Sequence, residues 1–341
     1  MRSLRSAALL AIALALTITG CTASPGSPDA TSGASERDSA TFPITIEHAL
    51  GSTTVETKPE RVATVAWANQ EVPLALGIVP VGMSKVTWGD DDGDGVLPWV
   101  EDKLTELGAE TPVLFDDATG IDFEAVANTN PDVILAAYSG LTQDEYNTLS
   151  KIAPVVAYPG VAWGTSVDDM ITLNATALGL ASEGETLRQQ LHDQATAALD
   201  KHSVLQDKRI LFVVIDLSDL SQISLYSAHD TRPGFFKDLG LPLPAEVERV
   251  TAQTSEFYST VSAEAADVFN DVDLIVTYGD DSLLPTLQAD PLLSKIPAVA
   301  NGHVAVLPNE TPLAASANPS PLSIPATLND YFALLAAPLS K

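Results

Sequence analysis

The chain has 341 residues, 45% of them hydrophobic and 18% charged, which fits about two packed domains at roughly 100–200 residues each. Its 45 acidic residues outnumber 17 basic ones, for a net charge of -28, so it lacks the concentrated Lys and Arg that nucleic acid or an anionic membrane surface requires. A single cysteine excludes internal disulfides, CxxC redox motifs and cysteine zinc sites.

Arg2 and Arg5 precede an apolar run over residues 7–18, too short for a bilayer span of ~20 residues. Ile18-Thr19-Gly20-Cys21 follows and holds the only cysteine. This arrangement resembles a bacterial lipobox, which implies that residues 1–20 are a removed leader and Cys21 a lipid anchor. Losing Arg2 and Arg5 takes the 17 basic residues to 15 against 45 acidic, a net of -30. Residues 21–41 are rich in Ser, Pro, Ala, Thr and Gly and read as a flexible tether. No later segment has the ~18 uninterrupted apolar residues of a membrane helix.

Residues 41–57 predict a hairpin turning near Gly51-Ser52. Short apolar runs at 61–66, 79–84, 132–138 and 155–158 then alternate with helical segments at 70–76, 98–104, 123–128 and 143–152. Such alternation indicates an α/β lobe with parallel strands, over 42–165.

Residues 166–206 break the pattern. Met170, Leu173, Ala177 and Leu180, then Leu187, Leu191, Ala195 and Ala198, recur at helical spacing. Gly179 reads as a helix stop, and Ser182 with Glu185 as a capping box opening a second helix to about His202. At 1.5 Å per residue it would run roughly 30 Å, enough to join two lobes. Strands are predicted again at 209–216, 222–227, 273–278 and 303–307, with helices at 233–239, 263–270, 282–287 and 321–336, giving a second lobe over 207–341. A weak repeat ties the lobes: Glu124 leads to a strand ending at Tyr138, and Glu264 to one ending at Tyr278, with Leu-Ser-Lys-Ile following each at 149–152 and 293–296. Ligands of open α/β sheets bind beyond the strands' carboxyl ends, so Tyr138 and Tyr278 are expected to face a cleft between the lobes.

Gly51-Ser52-Thr53-Thr54-Val55 through Lys58-Pro59-Glu60-Arg61-Val62, Asp122-Phe123-Glu124 with Asn130-Pro131-Asp132-Val133-Ile134, and Asp290-Pro291-Leu292 with Gly302-His303-Val304 carry a resemblance over about residues 42–338. The chain is similar to substrate-binding lipoproteins of ABC importers for ferric siderophores, haem and vitamin B12, its motifs being those of the siderophore branch. The resemblance implies a class III periplasmic-binding-protein fold, two α/β lobes joined by a single long helix with the ligand cleft between them. It implies capture of a ferric siderophore outside the membrane by a monomer, and delivery to an ABC permease with no chemistry performed. It also implies that Glu124 and Glu264 dock with permease arginines, although the helix dipole alone favours a carboxylate at a helix start.

For the ligand, Trp67, Trp88 and Trp163 each follow a predicted strand and suit the apolar flanks of a bulky chelate, while Trp99 lies on a helix as packing. Arginine is common in the siderophore branch at the position of Arg232, where a positive group would meet an anionic ferric complex. Tyr226, His229, Arg249 and Tyr258 are weaker candidates. Iron wrapped by its siderophore needs no protein ligand. Asp90, Asp92, Asp94, Gly95 and Glu101 match EF-hand spacing, readable as a calcium loop or as a solvated acidic loop, with Pro98 starting a helix inside it. A hydrolase would need a nucleophile with a base, yet G-x-S-x-G and H-E-x-x-H are absent and the five histidines are scattered. Clustered histidines for a zinc or manganese carrier are missing too; a haem or cobalamin carrier stays open.

Overall fold

The computed structural model of the protein describes residues 40–117 and 119–340; Cys21, its leader and most of the tether lie outside them. Strands β1 (Ile44–His48) and β2 (Gly51–Val55) form an antiparallel hairpin. Its turn falls at Ala49 and Leu50 rather than at Gly51-Ser52, because Gly51 already pairs with His48.

The first lobe then alternates β3 (Val62–Thr64), α1 (Glu71–Ala75), β4 (Gly82–Ser84), α2 (Pro98–Glu106), β5 (Val113–Phe115), α3 (Phe123–Asn128), β6 (Val133–Leu135), α4 (Gln143–Leu149) and β7 (Val155–Val156). Its sheet runs β5-β4-β3-β6-β7, parallel throughout. Alternate residues of β6 serve opposite faces. Val133 and Leu135 pack under the hairpin with Ile46 and Val55, while Ile134 joins Phe115, Val126 and Leu149. A sheet covered on both faces needs apolar residues at every position, which is why these strands are continuous hydrophobic runs.

Helices α5 (Val167–Ala177) and α6 (Ala181–Lys201) follow. Gly179 makes their corner at φ 68°, and the Phe42 ring lies so close that a Cβ at 179 would come within 2.8 Å of it. The expected capping box is absent: Leu180 is the N-cap, and Glu185 instead accepts from Arg188 Nε at 2.8 Å.

The second lobe holds β8 (Ile210–Val214), β9 (Gln222–Tyr226), α7 (Thr231–Asp238), α8 (Ala245–Gln253), β10 (Tyr258–Ser262), β11 (Leu274–Gly279), α9 (Leu283–Ala289), α10 (Pro297–Ala300), β12 (Val304–Pro308), α11 (Pro312–Ser316) and α12 (Ser323–Ala336). Its sheet order is β10-β9-β8-β11-β12. Strands β8, β11 and β12 are parallel, and β9 pairs antiparallel with both β8 and β10, unlike the all-parallel sheet of the first lobe. Ala263–Phe269, predicted as a helix, is a 3-10 turn kinked at Ala265. Ile210 and Phe212 face α6 and α12, whereas Leu211 and Val213 face Val247, Phe269 and Leu287.

The chain also returns across the lobes. Helix α12 packs along α6, and Ala315 and Leu322 enter the first-lobe core beside Leu74, Met83 and Val100. No helix among the described residues is long and apolar enough to cross a membrane.

Candidate functional site

The site is assembled by the segments that leave the strands. Beyond β3 the backbone is left-handed at Ala66 (φ 62°) and Ala68 (φ 60°), flanking Trp67; Trp163, beyond β7, has φ 58°. Such conformations in non-glycine residues cost ~1–2 kcal/mol each and persist only where surroundings impose them. Here Asn69 does so: wholly buried, its amide nitrogen donates to Val65 O (2.8 Å) and Tyr138 O (2.9 Å), and its oxygen accepts from Tyr138 N (3.1 Å). Trp163 is held by its N–H to Ser139 O (2.8 Å), and its indole lies on Gly140, where a Cβ would overlap the ring nitrogen.

Trp67, Trp88, Tyr138 and Trp163 thus form one wall of a cavity of about 260 Å³. Tyr226, Asp230, Arg232 and Phe257 form the other, with Asn318 from the segment between α11 and α12. A second compartment of about 200 Å³ shares Trp67, Trp88 and Trp163 and adds Gln70, Ser84, Lys85 and Asp117. Together they reach the size of a small-molecule site. A larger hollow of about 340 Å³ shares Asp230 but is walled by Asp168, Asp169, Lys237, Asp238 and His229, with no tryptophan or tyrosine; its carboxylates make it a poor seat for an apolar chelate.

Arg232 is the polar centre of the aromatic cavity. Its Nη1 donates to Asp230 Oδ1 (3.0 Å) and Oδ2 (2.8 Å), and its Nε to the Tyr278 hydroxyl (3.0 Å). Its guanidinium carbon lies 4.5 Å from the Tyr226 ring centre and 5.7 Å from that of Phe212, cation–π contacts of ~0.5–2 kcal/mol. Asp230 is also the N-cap of α7, accepting from Arg232 N. Burial pushes the Asp230 carboxyl up and Arg232 pulls it back; with only donors around its oxygens it is a carboxylate. Burial opposes the charge of Arg232 most strongly, but Asp230 together with the Tyr278, Tyr226 and Tyr138 phenols holds the guanidinium above its usual range. Burial likewise pushes Tyr226 up to about 12 and raises Tyr138 and Tyr278, so all three stay neutral phenols at physiological pH. The Tyr138 hydroxyl accepts from Asn318 Nδ2 at 3.0 Å, and its ring meets Trp163 edge-on at 5.6 Å.

Of the residues singled out in the sequence, Trp67, Trp88, Tyr138, Trp163, Arg232 and the weaker candidate Tyr226 line this cavity. Tyr278 stands behind it, bonded to Arg232 and edge-on to Trp88 at 5.3 Å. Tyr258 does not belong: it is 48% exposed on the edge strand, and its neighbour Phe257 lines the wall instead. Arg249 is an exposed partner of Glu246, and His229 Nε2 bonds the backbone carbonyl of Thr254 at 3.0 Å. Trp99 is buried and donates to Glu71 Oε1 at 2.8 Å. Sequence reasoning missed Asp230, Phe257 and Asn318. The Asp-Thr-Arg-Pro order, which signals an N-cap, was the available sign of the first. Asn318 carried none, coming from the far end of the chain.

Glu124 and Glu264 are exposed, each in the first turn of its element, and neither has an ion-pair partner among the described residues. Asp90, Asp92 and Asp94 lie with carboxylate oxygens within 4.8 Å of one another. Glu101 sits on α2 outside that group, and the Asp90 carboxylate already accepts from Gly93 N and Gly95 N.

A family model described as a periplasmic binding protein matches residues 62–311. Among solved structures, PiaA of Streptococcus pneumoniae TIGR4 in complex with ferrichrome is 46% identical, with a TM-score of 0.84 over 87% of this chain and 99% of that one. A periplasmic solute binding protein of Mycobacterium smegmatis is 26% identical, with a TM-score of 0.69 over 87% of this chain and 98% of that one. The "Probable siderophore-binding lipoprotein YfiY" of Bacillus subtilis is 30% identical over 244 residues, 70% of each chain.

Proposed function

This chain belongs to the periplasmic binding protein family, and on that premise we propose that it is the substrate-binding lipoprotein of an ABC importer that captures a ferric siderophore outside the membrane. The observation that carries the reading is the cavity itself, in which three tryptophans and a tyrosine of one lobe oppose an arginine between aromatic rings of the other. Flat aromatic faces bind the apolar flanks of a chelate whose metal is already wrapped, so the iron needs no protein ligand. The likeness to PiaA, solved with ferrichrome, supports the same cargo class.

In this reading the protein performs no chemistry. Residues 1–20 are the leader, Cys21 the lipid anchor and 21–41 the tether; lobes at 42–165 and 207–341 close over the ligand about the connector at 166–206. Glu124 and Glu264, exposed and unpaired among the described residues, present one carboxylate per lobe to the permease, which receives the cargo from a monomer held at the extracytoplasmic face. Delivery rests on different affinities of open and closed clefts.

The test is quenching of tryptophan emission by ferric siderophores, haem and cobalamin. Saturable sub-micromolar quenching by a ferric chelate, lost with its iron-free form, is the expected result. A response to haem or cobalamin alone would move the cargo while leaving the family in place.

A further inference from the structure

We infer that Asp230 sets the charge class of the ligand: by cancelling Arg232 it leaves the cleft without net positive charge, so the cleft takes a ferric chelate that bears no net negative charge. This rests on the siderophore reading above and adds the charge of the cargo to it.

Arg232 and Asp230 are the charged residues lining the aromatic cavity, and Lys85 and Asp117 those lining the adjoining compartment. Each compartment therefore sums to zero. The pairing at Arg232 is fixed. The Asp230 side chain is 1% exposed, and both its oxygens take the same guanidinium nitrogen. An incoming anion could not displace it without stranding a buried carboxylate. Nor are the arginine's other donors all free: Nε is held by Tyr278, and its face is covered by Tyr226. Nη2 has no hydrogen bond among the described residues, which leaves one edge able to donate to a ligand oxygen. That suits a neutral acceptor.

A polyanionic chelate would fare badly here. It would shed its hydration into a cavity of indole and phenol rings with no countercharge, and it would face Asp230. It would also approach a molecule with 45 acidic and 17 basic residues, whose field repels anions. An uncharged chelate pays neither penalty, and a cationic one is drawn in.

A ligand series that differs only in charge tests this on the full-length protein in detergent: ferrioxamine B, cationic through its free amine, its uncharged acetylated form and its anionic succinylated form. Ferrichrome, uncharged, and ferric enterobactin, trianionic, extend the range. The uncharged and cationic chelates are expected to bind at least tenfold more tightly than the anionic ones, and ferrichrome affinity to be insensitive to salt. In Asp230→Asn the gap between succinylated and acetylated forms should shrink at least tenfold. Should that variant fail to fold, the ranking and salt response of the unaltered protein decide alone. An anionic chelate that matches the uncharged ones, or a gap unchanged in Asp230→Asn, overturns the charge inference and leaves the siderophore reading standing. Binding of haem or cobalamin and of no ferric chelate overturns both.

Discussion

Gly140 carries no side chain, and the Trp163 indole occupies the space where one would be. Gly140→Ala is therefore expected to drive that ring off its seat and weaken binding of the cognate chelate at least tenfold, about 1.4 kcal/mol, while thermal unfolding shifts little. Unchanged affinity would mean that Trp163 is not a binding surface. The gathering of Trp67, Trp88, Tyr138 and Trp163 at one place was legible because each follows a buried strand, and the carboxyl ends of a parallel sheet share one edge. The choice between Phe257 and Tyr258 was not. Neighbours on a strand face opposite sides, and β10 is an edge strand whose side chains alternate between half-buried and exposed, leaving no apolar run to fix its register. The meaning of Arg232 was also only half legible. Its sequence position suggested a free cation for an anionic ligand, whereas the α7 N-terminus folds Asp230 back onto it.

Helices α1 and α2 and the start of α12 meet at Glu71, which is wholly buried. Its Oε1 accepts from Trp99 Nε1 and its Oε2 from Leu322 N, both at 2.8 Å. Glu71→Ala would strand both donors and open a void, an expected loss of about 3 kcal/mol in urea unfolding. Burial raises the carboxyl above 4.5, and these donors only partly offset it. The folded state thus holds this proton more tightly than the unfolded chain. The stability it contributes is complete below pH 4.5 and is lost as pH rises through the folded-state value. Compared with Glu71→Gln, the unaltered protein should lose unfolding free energy as pH rises above 4.5; a difference that stays constant with pH would show that Glu71 does not titrate in the folded protein. Elements of this kind differ in how they announce themselves. Strands β6 and β8 are unbroken apolar runs, and β11 opens on one, Leu274-Ile275-Val276, visible at once. Strand β5 is three residues long, with Val113 53% exposed, and so resembles a loop. The Ser182–Glu185 spacing fitted a capping box, but helix α6 starts at Ala181 and Arg188 takes the glutamate.

Over the whole molecule, two lobes were readable because the strand pattern stops between residues 166 and 205 and then resumes. The return of α11 and α12 to the first lobe was not, since contacts such as Leu322 with Leu74 span most of the chain. If one carboxylate per lobe guides docking, the double variant Glu124→Ala, Glu264→Ala should keep its chelate affinity in solution and lose most iron uptake in cells. Normal uptake would end the docking role. The contact of Phe42 with Gly179 bears on how such a receptor tolerates being moored. The first described residues rest against the corner where α5 turns into α6, beside the strut that spans the lobes. In the proposed reading, a tug arriving from an anchor at Cys21 would enter at this corner and not at the aromatic walls of the cavity, so that mooring would leave the grip on a ligand undisturbed.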